Sequence, residues 1–217
     1  MMGGTELANR SRMKVSGWEK TAVDIALSVV AILVSLPLFV IIPLLIKITS
    51  RGPVFYGHRR IGKNGRPITI WKFRSMFADA DERLKSILNE DVAAKDEWDR
   101  NFKLHNDPRI TPLGRFLRRT SLDELPQLFN VLLGEMAIVG PRPIVEDEIR
   151  FYGARYGLIS RVKPGITGLW QVSGRSDTGY ERRVSMDCHY VLNWNPWMDF
   201  RIIIHTVFSV LLMRGAY

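Results

Sequence analysis

The sequence has a single cysteine, Cys188, so an internal disulfide is excluded. A lone thiol is weak evidence for a nucleophile, and a chain without disulfides is compatible with a reducing, cytoplasmic environment. Internal repeats and low-complexity tracts are also missing from the 217 residues. A chain of this length with 46% hydrophobic residues has room for one domain of ordinary size and a membrane element.

Acidic residues are in deficit. The chain has 22 aspartates and glutamates against 31 lysines and arginines, which gives a formal charge of +9. A positive charge favours anionic partners such as nucleic acid, phosphorylated metabolites or acidic lipid headgroups. The sequence contains no recognisable nucleic-acid-binding motif, so we expect no nucleic-acid partner.

Charge is nearly missing from residues 22–46, AVDIALSVVAILVSLPLFVIIPLLI, in which Asp24 is the only charged side chain. A helix of this length and composition is able to cross a bilayer. The run is too long for a secretory signal, and KITSRGPVFYGHRR follows it rather than a small-residue cleavage site. We therefore expect a membrane anchor, with Asp24 paired to Lys20 or another basic group, or serving as an ordinary acid at a helix start.

The orientation of this anchor is ambiguous because basic residues flank both of its ends, whereas a single span has an excess on one side. Pro37 removes a helical hydrogen bond in mid-run and predicts a kink, and Ser35 is available to satisfy a freed carbonyl. Together these features favour a re-entrant helix that enters and leaves the same leaflet. A kinked helix that spans the bilayer stays open as the alternative.

Two carboxylates, Asp123 and Glu124, stand side by side in the stretch SLDELP. Ser121 and Glu124 match the capping box, in which each side chain satisfies a backbone N–H of the other residue. Pro126 fits a different helix better, one that begins at Asp123 or Glu124 and ends at Gly134. Both interpretations stay open on this stretch alone.

A place at the start of a helix would put both carboxylates near the positive end of its dipole, which lowers their pKa values. Ionised carboxylates suit a nucleophile or a metal ligand. Adjacent helical side chains point about 100° apart, so Asp123 and Glu124 cannot face each other across one bond as a glycosidase pair does. This spacing favours one carboxylate that attacks an electrophile while its neighbour holds a cation or orients the first.

The rest of the chain indicates an α+β fold that is mostly helical. Two strands joined at Asn64-Gly65 predict a small β-hairpin, and residues 77–104 have the composition of a solvated helical segment. The sequence MAIVGPRP begins as a strand-like run. Residues 202–213 are apolar but too short to span a bilayer, so we expect an amphipathic interfacial helix, with a core helix as the alternative.

Arginines recur beside rigid turns. Two prolines restrict the backbone around Arg142 in GPRP, and Arg175 lies in the glycine-rich block at residues 162–177. That block does not match a P-loop, so its glycines alone are weak evidence for phosphate binding. Arginine binds phosphate through a planar, bidentate fork. Paired acids, arginines on rigid turns and a membrane anchor together favour phosphoryl chemistry at a membrane surface.

Blocks of the sequence resemble the signature motifs of the bacterial sugar transferases, the monotopic polyprenyl-phosphate phosphoglycosyl transferases. They are KFRSM, DPRITPLGRFLRRTSLDELPQLFNVLLGEMAIVGPRP and PGITGLWQVSGRSD. The central block is highly specific, and the resemblance covers nearly the whole chain. GPVFYGHRRIG and the ending MRGAY are most similar to the rhizobial undecaprenyl-phosphate galactosyl transferases that initiate exopolysaccharide synthesis.

The resemblance implies transfer of a phosphosugar from UDP-galactose or UDP-glucose to undecaprenyl phosphate, with release of UMP. It implies that Asp123 is the nucleophile of a covalent phosphosugar enzyme and that Glu124 serves a Mg²⁺ ion. The family's basic positions near the phosphates match Lys72, Arg118 and Arg142, and Arg175 falls in the glycine-rich block.

The family's anchor is re-entrant and breaks at a Ser-Pro pair. Here Leu36 stands between Ser35 and Pro37, so the details of the kink do not transfer directly.

We accordingly divide the chain into a basic N-terminal segment at residues 1–21, a re-entrant membrane helix at 22–46 and a cytoplasmic catalytic domain at 47–217. The last of these ends in a helix at the membrane interface. The protein is expected on the cytoplasmic face of a bacterial inner membrane, in contact with its lipid.

An alternative of a different class is a membrane-tethered protein whose basic surface binds acidic lipid or nucleic acid without catalysis. That hypothesis gives Asp123 and Glu124 no role, and an assay of Mg²⁺-dependent UMP release separates the two. The sequence leaves open which sugar is transferred, the polyprenyl length, the pathway and whether the protein forms a homodimer.

Overall fold

The computed structural model describes residue 15 and residues 17–101, 104–173 and 179–212. These residues are mostly helical, as the sequence predicts. The helices are α1 Trp18–Thr49, α2 Ala80–Glu90, α3 Val92–Asn101, α4 Pro112–Arg119, α5 Gln127–Leu132, α6 Ile149–Tyr152, α7 Tyr156–Ile159, α8 Leu169–Val172, α9 Tyr180–Asn193 and α10 Pro196–Leu211.

Two small sheets accompany the helices. Strands β1 Phe55–Ile61 and β2 Pro67–Phe73 pair antiparallel, and β3 Ala137–Val139 pairs in parallel with β4 Gly165–Thr167. The first pair confirms the predicted hairpin. Its connection is longer than a two-residue turn, because a 3₁₀ turn at Lys63–Gly65 carries the chain between the strands.

The segment at residues 77–104 contains two helices rather than one continuous helical stretch. The backbone of Asp91 is extended between α2 and α3, with φ −122° and ψ 105°. Its Oδ1 accepts hydrogen bonds from the backbone N–H groups of Ala93 and Ala94. The helix therefore restarts because an aspartate favours capping over a helix interior, a signal that the composition alone did not disclose.

Helix α1 is the longest element, with 32 residues and a length of about 48 Å at 1.5 Å per residue. Among the described residues it is the one helix that is long and apolar enough to cross a membrane, and only 17% of its most apolar window is buried. A core helix of a soluble protein would be mostly buried. The exposed apolar side chains of α1, such as Leu33 and Val34, therefore match an environment of lipid.

One narrow face of α1 packs on the rest of the protein along its whole length. Near its start, Lys20 Nζ lies 2.7 Å from Asp199 Oδ2 on α10, and Asp24 Oδ1 accepts from the Ile138 backbone N–H. Lys20 also contacts Asp24 at 3.4 Å, as predicted. The buried residues of this face are Lys20, Asp24, Ser28, Ser35, Ile42 and Ile46.

The far end of α1 belongs to a hydrophobic cluster in which Ile42 and Ile46 pack with Phe73 of β2 and Leu117 of α4. Phe39 extends this cluster, with ring centroids 5.6 Å from Phe73. The strand and helix that flank the carboxylate pair are thus packed directly on the membrane helix.

The backbone of α1 stays helical through Pro37, so the chain does not leave the helix there, and a bend at this point remains a prediction. Ser35 Oγ donates to the carbonyls of Ala31 and Ile32, at 2.6 and 3.3 Å. The carbonyl that Pro37 leaves without a partner is that of Leu33. It is only two residues before Ser35, outside the usual reach of a serine hydroxyl, so that part of the expectation was wrong.

Helix α10 has one buried and one exposed apolar side. Asn195 caps its start by accepting from the Met198 backbone N–H at 2.9 Å, and Ile202 is buried in the largest core cluster. A second apolar face is open to the surroundings and carries Trp197, Phe200, Ile204, Val207 and Phe208. This helix is therefore not an ordinary core helix.

Candidate active site

The carboxylate pair lies in a single 3₁₀ turn, Leu122–Glu124, rather than in the first turn of an α-helix. Ser121 before it has a left-handed backbone, with φ 55° and ψ 17°, a strained conformation for a residue with a side chain. The α-helix begins only at Gln127, after Pro126, and Gly134 follows its end as predicted.

This geometry overturns both sequence-based interpretations of the helix start. The Ser121 side chain makes no capping hydrogen bond, so the capping box with Glu124 does not form. Pro126 takes the position immediately before the α-helix, so Asp123 and Glu124 lie outside it, in the 3₁₀ turn.

Asn130 fixes this turn against strand β2. Its side chain is fully buried, donates from Nδ2 to the Thr69 carbonyl at 2.8 Å and accepts from the Trp71 N–H at 3.2 Å. The Lys72 side chain lies on the opposite face of the strand from Thr69 and Trp71, and its Nζ reaches Glu124 in the turn. The pair of hydrogen bonds brings Lys72 to the carboxylates across more than fifty positions of sequence.

Lys72 is the cation in contact with the pair. Its Nζ lies 2.6 Å from Glu124 Oε1 and 4.0 Å from Asp123 Oδ2. Asp123 is buried, whereas a third of the Glu124 side chain is exposed. The two carboxylates therefore have different environments, as two different roles require.

Burial raises the pKa of Asp123 to about 6, against the attraction of Lys72, which lowers it. The charge of Glu124 raises this pKa further, and Arg118 lowers it. The expectation of a depressed pKa at a helix start was wrong, because Asp123 has no α-helix dipole behind it and loses its hydration. Raised pKa values of this kind cluster at functional sites.

Arg118 stands near Asp123 without touching it. Its Nε donates to Ser75 Oγ at 2.9 Å, which holds the guanidinium on α4 beside the end of β2. The approach of these two elements depends on Gly114, because a Cβ at that position would lie 1.8 Å from the Ser75 carbonyl oxygen. Ser75 and Gly114 are site-forming residues that sequence reasoning missed.

Arg142 makes no ion pair with Asp123 or Glu124 among the described residues. Asp187, buried on α9, accepts a hydrogen bond from the Arg142 backbone N–H and another from the Tyr152 hydroxyl at 3.0 Å. The guanidinium packs over Trp170, 5.6 Å from the ring centroid. Arg175 lies outside the described residues.

Gly165 and Gly168, the described glycines of the block that begins at residue 162, serve packing. A Cβ on Gly165 would lie 2.1 Å from the Gly140 backbone nitrogen. The start of the GPRP loop and the start of strand β4 therefore touch through their backbones. Gly165 N–H donates to the Pro141 carbonyl rather than pointing into a cradle for phosphate.

The residues at the site fit a Mg²⁺ ion of the kind that shares substrate phosphates. Among the described residues, no cluster of three or more His, Cys, Asp or Glu side chains offers a cage made of protein alone. Mg²⁺ usually keeps several waters and takes one or two carboxylates together with substrate phosphate oxygens. Glu124, adjacent to Asp123 and partly exposed, has the chemistry for that mode.

Comparison with protein families matches residues 15–213 to the bacterial sugar transferases. The chain belongs to this family. The match includes the carboxylate pair, Lys72, Arg118 and Arg142, and it agrees with the resemblance of the sequence motifs.

Similar proteins carry related names. The exopolysaccharide production protein ExoY of Sinorhizobium fredii is 45% identical over 203 residues, which are 94% of this chain and 90% of that protein. The undecaprenyl-phosphate galactose phosphotransferase of Salmonella typhimurium is 47% identical over 97% of this chain. The UDP-glucose:undecaprenyl-phosphate glucose-1-phosphate transferase of Escherichia coli is 41% identical over 91%. This chain spans 44% and 41% of the last two proteins.

The raised pKa of Asp123 predicts that this aspartate destabilises the fold at neutral pH. Above about pH 6 the folded protein must keep a buried carboxylate ionised, whereas the unfolded chain ionises it in water. We expect Asp123→Asn to be more stable than the wild type at pH 7.5, by roughly 1–3 kcal/mol, and the difference to vanish as pH falls toward 4.

Thermal unfolding in EDTA, followed across this pH range, measures the difference. Asp147→Asn, which removes an exposed carboxylate, is the matched control. An Asp123→Asn protein less stable than the wild type at pH 7.5 would contradict the assignment of a desolvated carboxylate.

Proposed function

We propose that this protein transfers a phosphosugar from a UDP-sugar to undecaprenyl phosphate through a covalent intermediate on Asp123, with release of UMP. The observation that carries the proposal is a buried carboxylate beside a lysine and a second, more exposed carboxylate, in a chain of the bacterial sugar transferase family. The names of the relatives support the same overall transfer.

In the first step an Asp123 carboxylate oxygen attacks the phosphorus that is linked to the sugar. The bond from this phosphorus to the bridging oxygen breaks, and its electron pair leaves with UMP. Lys72, whose Nζ lies 4.0 Å from Asp123, offsets negative charge on the phosphoryl oxygens. Arg118, held by its hydrogen bond to Ser75, adds positive charge near the same atoms. The burial of Asp123 limits water access to the resulting acyl phosphate.

In the second step a phosphate oxygen of undecaprenyl phosphate attacks the same phosphorus. The bond to the Asp123 oxygen breaks, the aspartate regains its carboxylate, and the product is a polyprenyl diphosphosugar. Direct attack of this phosphate on the diphosphate of the donor would bring the two anions together at once. A protein nucleophile divides the reaction into two displacements with fewer negative charges in each.

Mg²⁺ completes the proposed site. Glu124 would hold it from the protein side, and the bound ion would supply positive charge to the diphosphate oxygens. Because Lys72 now sits 2.6 Å from Glu124, this lysine would turn toward substrate phosphate when the cation is bound.

The packing of α1 supports a re-entrant anchor. Lys20 near one end and Ile46 near the other both contact the same body of the protein, and about 39 Å of helix separates them. A helix that crossed the bilayer would carry one end away from a domain seated on one side. We therefore place the body on the cytoplasmic face of the inner membrane, with the exposed apolar face of α10 in the interface.

The transferred sugar is galactose or glucose in this proposal. The names of the relatives divide between these sugars, since the Salmonella protein is a galactose phosphotransferase and the Escherichia coli protein acts with UDP-glucose. The similarity to ExoY favours a role in the first membrane step of exopolysaccharide synthesis.

The proposal predicts Mg²⁺-dependent release of UMP from UDP-galactose or UDP-glucose in the presence of undecaprenyl phosphate. Asp123→Asn should lower the rate by a factor on the order of 10³ or more, because it removes the nucleophile. Glu124→Gln should raise the Mg²⁺ concentration needed for half-maximal rate, and Asp147→Asn should match the wild type. Near-normal turnover by Asp123→Asn would sink the proposal.

The re-entrant anchor predicts that Ser16 and Arg51 lie on the same, cytoplasmic side. Ser16→Cys and Arg51→Cys, each in a Cys188→Ser background, are treated with a membrane-impermeant thiol reagent in intact spheroplasts. Neither should react until the membrane is opened, whereupon both should. Reaction of Ser16→Cys in intact spheroplasts means that the helix crosses the bilayer.

A further inference from the structure

A row of polar side chains on strand β1 continues the active site away from the carboxylates. Tyr56 pairs with Lys72 across the hairpin, and side chains two residues apart on a strand project to the same face. His58 and Arg60 therefore follow Lys72 along this face, at intervals of about 7 Å. The sequence analysis singled out neither residue, although both follow Tyr56 at intervals of two residues along a predicted strand.

Arg60 forms an ion pair with Glu148, a buried carboxylate. Arg60 Nη1 lies 3.5 Å from Glu148 Oε2, and the same carboxylate contacts Arg183 at 3.3 Å. Glu148 also accepts from the Tyr180 hydroxyl and from the Val145 backbone N–H. These contacts orient Arg60. Because Glu148 is shared between Arg60 and Arg183, one carboxylate balances the charge of two guanidinium groups.

The His58 ring contacts Arg60 through Nδ1. Its Nδ1 lies 3.4 Å from Arg60 Nη2, and since a guanidinium only donates, Nδ1 must accept. Burial, then the charges of Arg60, Lys72 and Arg142, lower the pKa of His58 to about 4, while Glu148 opposes them. The ring is therefore neutral at pH 7 and carries its hydrogen on Nε2, where it can donate to a ligand.

Three cationic side chains act on His58. Arg60, Lys72 and Arg142 all act on this ring, and Glu148 is the carboxylate that acts against them. The charge of Arg142 also lowers the pKa of Arg60 to about 10, after the larger effect of burial. In addition, the buried Arg142 Nε has no hydrogen-bond acceptor among the residues that the structure describes. Arg142 Nε and His58 Nε2 can therefore donate hydrogen bonds to a ligand that carries acceptors, such as a phosphate.

We propose that His58, Arg60 and Arg142 bind the phosphate of the nucleotide half of the donor, the half that leaves as UMP. The sugar-linked phosphate would then lie at Lys72 and Asp123, at the other end of the row. His58 donates a hydrogen bond from Nε2 to the leaving phosphate, and the two arginines stabilise the charge that develops there. No proton is transferred. The inference rests on the proposed function and assigns residues to one half of its donor.

Binding of UMP to the full-length protein in nanodiscs tests this assignment by calorimetry. We expect Arg60→Ala and His58→Ala each to weaken binding by about tenfold or more, as loss of a hydrogen bond to a charged phosphate does. Arg59→Ala is the matched control, since Arg59 is the exposed neighbour on the other face of the same strand and its loss removes the same charge. It should change the affinity less than about twofold.

A second measurement does not depend on variants that disturb folding. In histidine-labelled wild-type protein, saturating UMP should raise the pKa of His58 measured by NMR, because a nearby anion favours the imidazolium. The His58→Ala spectrum assigns the resonance among the four histidines of the chain. Uridine, which lacks the phosphate, should leave the His58 pKa unchanged. Undecaprenyl phosphate, whose phosphate enters on the side from which UMP leaves, is compared in parallel.

Unchanged UMP affinity in both Arg60→Ala and His58→Ala would overturn the assignment, as would a His58 resonance that ignores UMP. A His58 shift with undecaprenyl phosphate but not with UMP would give the subsite to the acceptor and also overturn it. These failures are distinct from failure of the proposed function, which shows as no UMP release by the wild type.

Discussion

Burial of one ionisable carboxylate, Asp123, is the constraint on which the rest of the site depends. Burial disfavours the ionised form of a carboxylate, and the pKa of Asp123 is accordingly raised to about 6. The fold offsets part of this penalty with Lys72 and Arg118, each held by its own support. Strand β2 and Asn130 place the lysine, and Ser75 and the close approach at Gly114 place the arginine.

The membrane helix is part of the same construction. Ile42 and Ile46 of α1 pack with Phe73 and Leu117, which belong to the strand that carries Lys72 and the helix that carries Arg118. Seating of the anchor and geometry of the site are therefore coupled through one hydrophobic cluster. In the proposed reaction one substrate is soluble and the other is held in a leaflet, and this coupling would let the depth of the anchor set the depth of Asp123.

Much of the fold could be predicted from local sequence. Asn64-Gly65 marks the hairpin, the apolar run marks α1, and the Asp24–Lys20 contact follows from helical spacing. The predicted start of the helix after the carboxylates was wrong. The actual start depends on the left-handed backbone of Ser121, and backbone strain cannot be read from composition.

The carboxylates that hold Arg60 and the GPRP loop were missed for a different reason. Glu148 meets Arg60 across 88 positions of sequence, and Asp187 meets the GPRP loop only in the folded chain. A strand period of two from Tyr56, the hairpin partner of Lys72, was the signal that pointed to His58 and Arg60. The sequence therefore indicated which arginines lie beside rigid turns, but not which carboxylates hold them.

Exchange between UMP and the UDP-sugar tests the covalent role of Asp123 most directly. A covalent phosphosugar enzyme can return its sugar phosphate to UMP, so radiolabelled UMP should enter UDP-galactose or UDP-glucose when undecaprenyl phosphate is left out. The wild type should catalyse this exchange with Mg²⁺, and Asp123→Asn should not. A wild-type protein that completes transfer to undecaprenyl phosphate but shows no exchange without it would contradict the double displacement.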